Sequence, residues 1–212
     1  ADQQRAAMRE LQALNERLGE QVSEREEMIR RLSRSRRIAR ITIDDQTHEP
    51  DGSVETTMLT MIELDERGSE LDRQSFVVPG DIVFFDAWTA KFDHESVAGG
   101  DPLAGRTLVL LRRVYSDAMP PRDGYPIDLP GAIPAGYAST EAGRFEQQIW
   151  RHFWRIAGDQ EYAADLGVRV AQGEVVYQRV RTGQEFVLEV DAAGGMNLRT
   201  RPQLSQAEPT AP

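Results

Sequence analysis

"SFVVPGDIVFFDAW", residues 75–88, is the stretch on which the fold turns. Two runs rich in β-branched and aromatic residues flank Pro79-Gly80-Asp81. Proline brings no N–H to a strand ladder and glycine tolerates a left-handed backbone, so the triplet predicts a tight turn or kink after which the extended chain resumes. Sharply bent strands of this kind are a device of small β-barrels. The expected class is therefore α+β, mainly β, with a barrel-like or sandwich body.

Working upstream, "ARITID" (39–44) alternates, and "SVETTMLTMIELD" (53–65) places Val54, Thr56, Met58, Thr60, Ile62 and Leu64 on one face of a strand. "THEPDGS" and "DERGS" read as the turns that follow each of them. Downstream, the continuous apolar run in "RTLVLLRRVY" (106–115) predicts a buried strand. Residues 116–138 carry Pro120, Pro121, Pro126, Pro130 and Pro134, which makes an extended connector. Its Ile127, Leu129, Ile133 and tyrosines suggest that it is pasted onto the body.

A helix is expected from Ser139 to Gly158, with Phe145, Ile149, Phe153 and Ile156 on one face and Trp150 and Trp154 beside it. Those two tryptophans should sit at the edge of the helix contact and are candidates for partner binding. Asp159 caps a shorter helix that ends at Gly167. The sequence from Glu174 to Arg199 reads as two or three antiparallel strands with turns at "RTGQ" and "DAAGG", and residues 202–212 read as a disordered tail.

The N-terminal part differs in kind. Residues 3–37 hold no proline and are rich in strong helix formers, which predicts one long helix. Its apolar residues Met8, Leu11, Leu14, Leu18, Val22, Ile29 and Leu32 follow a narrow, heptad-like seam with a stutter at Leu18–Val22. A thin stripe suits a partner helix better than a broad core, so coiled-coil self-association through these seven residues is expected. The arginine block Arg30–Arg40 reads as a solvated helix end, since Glu26–Arg30 and Glu27–Arg31 are favourable i,i+4 pairs and cations suit a helix C-terminus. The resulting division is a coiled-coil helix (1–37), a β-domain (38–118), a packed connector (119–138), a helix-plus-hairpin subdomain (139–201) and the tail.

Composition narrows the function. Of 212 residues, none is cysteine, which excludes disulfides, thiolate metal sites and cysteine nucleophiles and suits an oxidising compartment. The net charge of −10 divides into +3 for residues 1–40 (ten Arg, seven acids) and −13 for the remainder (15 bases, 28 acids), so no nucleic-acid surface is expected on the body. The densest polar stretch, residues 84–102, contains Asp86, Asp93, His94, Glu95, Asp101 and the only lysine, Lys91. Their spacing fits neither a calcium loop nor a zinc site, and Ser96 lies too near His94 and Asp93 for a triad. Alternation through "FFDAWTAKFD" instead suggests a strand with an aromatic face. No cofactor, metal or catalytic residue is assigned.

A long N-terminal helix leading into a β-rich body resembles, in layout, the MreC cell-shape scaffold family and the periplasmic adaptors of efflux pumps. That resemblance implies a cell-envelope partner and carries no residue roles. The leading expectation is a non-enzymatic, extracytoplasmic scaffold or interaction module. Because the chain opens on Ala1, a membrane anchor upstream is part of that expectation, and membrane contact would come only through it. The alternatives are a hydrolase or carbohydrate-binding domain using residues 84–102, and a cytosolic regulatory dimer.

Overall fold

The computed structural model describes residues 2–32, 36–92, 107–138, 144–165, 168–191 and 195–202. The chain divides into two compact units, residues 1–34 and 35–212. The first is a single helix, α1 (Asp2–Leu32). Met8, Leu11, Leu14, Leu18 and Val22 are all exposed along it. The side chains of Ile29 and Leu32 lie outside the described residues. The structure shows α1 as a single helix. Among the described residues no helix is long and apolar enough to cross a membrane.

The second unit begins earlier than the sequence suggested. Strand β1 (Arg36–His48) already contains Arg36 and Arg37, which the helix pattern had claimed. It is followed by β2 (Val54–Leu64), β3 (Glu70–Pro79), β4 (Ile82–Phe92), β5 (Thr107–Ser116) and the two-residue β6 (Tyr125–Pro126). Helices α2 (Arg144–Gly158) and α3 (Gln160–Asp165) come next, and β7 (Val168–Arg179), β8 (Glu185–Asp191) and β9 (Met196–Arg201) close the unit. Asp159 Oδ1 accepts the Tyr162 N–H at 3.0 Å, which caps α3.

The strands form two open antiparallel sheets, ordered β3-β2-β1-β8-β9 and β6-β5-β4-β7, so the body is not a closed barrel. The Pro79-Gly80-Asp81 break explains why. It does not bend one strand within a sheet; it carries the chain from the edge of the first sheet into the middle of the second. Gly80 takes a left-handed φ of 75°, which favours glycine, and a Cβ there would also crowd Asp117 Oδ1 at 3.2 Å. A second crossing, at residues 180–184, returns the chain from β7 to β8.

The two crossings are tied to each other. Val180 N donates to Asp81 O at 2.8 Å, the buried Thr57 hydroxyl donates to Gly80 O at 2.7 Å, and Gln46 Nε2 reaches both Thr57 Oγ1 (2.9 Å) and Val180 O (3.1 Å).

One apolar cluster joins the inner faces of both sheets: Ala39, Ile41 and Ile43 from β1, Leu59 and Met61 from β2, Phe85 and Ala87 from β4, and Phe186, Leu188 and Val190 from β8 are among its members. Burial of each large side chain in such a cluster is worth about 1.5–3 kcal/mol. In β2 the core face is Thr57, Leu59, Met61 and Glu63, while Met58 is exposed. The core face is thus the one opposite the Val54-to-Leu64 series, although Ile62 of that series is buried as well. β5 is buried on both faces, Leu108 to Leu111 being covered throughout, as its unbroken apolar run predicts. α2, which contacts β4, contributes buried Trp150, Phe153 and Ile156. The side chains of Phe145 and Ile149 lie outside the described residues.

The proline-rich stretch is attached to the body at Ile127, Asp128 and Tyr137. Ile127 N donates to Arg112 O (3.1 Å) and Asp128 N to Leu111 O (2.8 Å), which extends the second sheet by the short β6. Ile127 and Tyr137 are buried, whereas Leu129 is exposed.

Candidate functional site

Two features meet at Asp128, a buried charge cluster and a cavity beside it. The cluster is centred on Arg37. Along β1 this residue is in phase with Ala39, Ile41 and Ile43, so its side chain enters the protein with the core face. Glu63 is likewise in phase with Leu59 and Met61. All five guanidinium N–H groups are used. Nε and Nη2 donate to the Glu63 carboxylate at 2.7 and 2.8 Å, while Nη1 and Nη2 grip Asp128, the second at 2.9 Å, and Nη1 also reaches Val109 O at 3.2 Å.

Asp128 Oδ2 in addition accepts the Leu111 N–H at 2.7 Å, and the Tyr137 hydroxyl accepts the Val109 N–H at 3.1 Å. The Arg37 guanidinium lies 5.5 Å from the Tyr137 ring centre. Gly136 completes the wall. A Cβ on it would collide with Glu63 Oε1 and come within 3.1 Å of Arg37 Nε, so only glycine fits against this cluster.

Burial alone would lower the Arg37 pKa, but the charges of Asp128 and then Glu63, with their hydrogen bonds, overcome it and hold Arg37 well above its ordinary value. Arg37 is a permanent cation here. Asp128 is pushed up, first by burial and further by the Glu63 charge, against the pull of Arg37 and the Leu111 N–H. The Tyr137 hydroxyl is raised by burial. Both carboxylates and all five guanidinium N–H groups are engaged within the cluster or with adjoining backbone. The arrangement clamps β1, β2, β5 and the connector together.

The cavity has a volume of about 330 Å³ and lies between β4, β5, the connector and α2, with Asp128 in its lining. Its distinctive part comes from a β-bulge: Asp86 pairs with Arg113 and Ala87 with Leu111, which leaves Arg112 as the extra residue of β5. A bulge re-aims side chains. Here Arg112 and Arg113, consecutive residues that would otherwise point to opposite faces, both approach Asp86. Arg113 Nε donates to Asp86 Oδ2 at 2.8 Å, and Arg112 Nη1 stands 3.8 Å from the same oxygen. The Arg112 guanidinium lies over the Trp88 ring, 4.2 Å from its centre. Arg112 has a lowered pKa, chiefly from desolvation and then from the Arg113 charge. Asp86 Oδ1 is buried with no hydrogen-bond donor among the described residues.

The tryptophans of α2 separate. Trp150 is 0% exposed and packs on Tyr137 (5.2 Å between ring centres) and Phe153 (5.5 Å), which leaves it no surface to offer a partner. Trp154 is half-buried, lines the cavity, and donates its Nε1–H to Ala132 O at 2.7 Å. Of the polar stretch 84–102, Phe84 to Phe92 belong to β4, with Asp86 and Trp88 near the cavity. Asp93, His94, Glu95 and Asp101 lie outside the described residues.

Sequence reasoning missed Arg37, Glu63, Asp128, Arg112 and Arg113. For the first two a signal existed, since a charged residue in phase with a run of core residues is a buried charge in search of a partner. For Arg112 no pattern announces a bulge. Comparisons with protein-family models, with curated proteins and with solved structures find no match to this chain.

Proposed function

We propose that the chain is a non-enzymatic interaction module that self-associates through α1 and presents its β body to a partner. The observation that carries this reading is the exposure of the apolar stripe. Met8, Leu11, Leu14, Leu18 and Val22 stand 75, 65, 56, 49 and 52% exposed at heptad-like spacing on a helix of 31 residues. An isolated helix of this kind gains little stability from its own hydrogen bonds and leaves five large side chains in water. A second copy laid along the seam would bury them, at about 0.8 kcal/mol per methylene covered. The Arg37 cluster supports the non-enzymatic part, because the most strongly perturbed ionisable groups satisfy one another. The absence of cysteine suits an extracytoplasmic, cell-envelope setting, which belongs to the same proposal.

The test is thermal melting of the helical circular dichroism signal at protein concentrations spread over two decades. A self-associating α1 melts at a temperature that rises with concentration. Leu11→Asp/Leu18→Asp, which places charges in the seam, abolishes that dependence and leaves melting of the β body unchanged. A concentration-independent wild-type melt overturns the proposal.

A further inference from the structure

The structure assigns a small-molecule site to the cavity between Trp88, Arg112 and Trp154. We infer that it takes an organic monocarboxylate with a flat apolar body. This inference stands apart from the pairing of α1, since every residue involved lies in the second unit.

The first argument concerns Arg112. Its guanidinium makes no hydrogen bond among the described residues. It is held instead by the Trp88 face at 4.2 Å and by the longer-range attraction of Asp86 at 3.8 Å. Its side chain is 36% exposed and lines the cavity. Cation–π attraction consumes none of the guanidinium's N–H donors, and its planar fork matches a carboxylate in bidentate geometry. The neighbouring Arg113 is already engaged with Asp86 Oδ2 at 2.8 Å, so Arg112 is the residue that receives the ligand.

The second argument is charge. Arg112 and Arg113 face one carboxylate, Asp86, which leaves one surplus positive charge at the mouth. Behind it, Arg37 faces two carboxylates, Glu63 and Asp128, which leaves one surplus negative charge. The arginine pair alone balances a single negative charge, whereas the second charge of a dianion such as phosphate has no cation left to meet it and faces the surplus carboxylate of the Arg37 cluster.

The third argument is shape. Trp88, Trp154, Pro126 and Pro130 supply flat apolar walls, and the Trp154 ring is fixed by its hydrogen bond to Ala132 O at 2.7 Å. A volume of about 330 Å³ is at the small end of ligand cavities, which run from about 300 to 1,000 Å³. It suits a body of one ring.

The experiment is titration of the ¹⁵N-labelled full chain with sodium benzoate, benzamide and inorganic phosphate, following the three indole N–H signals. Benzoate is expected to shift the Trp88 and Trp154 signals saturably and to leave that of buried Trp150 in place. Benzamide, which has the same shape without the charge, binds at least about tenfold more weakly, because a charge-assisted bidentate pair is lost. Arg112→Gln weakens benzoate binding by a similar factor, while Arg122→Gln, an exposed control, does not.

Retention of the Trp150 signal certifies the fold of the Arg112→Gln protein. If that variant fails to fold, the contrast between benzoate and benzamide on the wild type decides. Equal binding of benzoate and benzamide, phosphate binding as tight as benzoate, or undiminished benzoate binding by folded Arg112→Gln would each overturn the assignment.

Discussion

Replacing Arg37 by methionine is the perturbation that probes the body most severely. The side chain is buried with both its partners, and its loss strips the Glu63 and Asp128 carboxylates of the only cation bonded to them among the described residues. Five hydrogen bonds vanish, four of them to charged oxygens, and two like charges are left facing each other out of water. Removing one partner from a buried ion pair costs about 3–5 kcal/mol, since the remaining charge is uncompensated. For a domain of this size each kcal/mol lowers the midpoint by roughly 2–4 °C, so the expected loss is roughly 6–20 °C by scanning calorimetry.

The triple variant Arg37→Met/Glu63→Leu/Asp128→Asn separates charge from packing. It removes all three charges, keeps an acceptor for the Leu111 N–H, and should recover most of the loss, because an apolar substitute for a buried ion cluster is often neutral or better. An Arg37→Met protein that loses less than about 1 kcal/mol, the worth of an exposed pair, would refute the reasoning. So would a triple variant no more stable than the single one.

Two further outcomes follow from the same geometry. Trp150→Ala should cost about 3–5 kcal/mol in a urea unfolding series, as expected for truncating a fully buried aromatic side chain, while Trp154→Ala, at a half-buried cavity wall, should cost markedly less; equal costs would mean that the two rings are not differently buried. The Asp128 pKa is raised in the fold, so between the ordinary carboxylate pKa of about 3.9 and the folded value the native state binds a proton that the unfolded chain does not. Stability owed to this group is therefore fully present below the ordinary value and is lost as pH rises through the folded one. Wild type should gain stability relative to Asp128→Asn as pH is lowered through that window, and a relative loss would mark Asp128 as an ordinary salt-bridged carboxylate.

Much of the body was legible because strands with one covered face write themselves as alternation, and β5, covered on both, as an unbroken run. What was not legible has a common cause. A period of two says which residues share a face but not which face is buried, and in β2 both faces carry apolar residues, so Met58 and Leu59 could not be ranked from the pattern. The Pro79-Gly80-Asp81 turn is equally compatible with a bend inside a barrel and with a jump between sheets. Only the pairing of β4 with β5 and β7 distinguishes them.

Arg37 was absorbed into a basic helix end because arginine is rarely buried without a partner, and its partners lie 26 and 91 residues away. The connector's buried Ile127 and Tyr137 were visible as apolar residues with no use in a free linker. Its Asp128 looked like any loop acid. The cavity depends on a bulge, on a distant helix and on the connector at once, which is why the polar stretch 84–102 points to the right strand while nothing in the pattern singles out the two arginines of β5.

The central claim concerns α1, and the most direct measurement is the solution mass of the full chain by light scattering. The account predicts an integer multiple of the 23.8 kDa chain mass, falling to 23.8 kDa for Leu11→Asp/Leu18→Asp. A wild-type mass of 23.8 kDa at concentrations up to the millimolar range, or an oligomer that survives both substitutions, would contradict it.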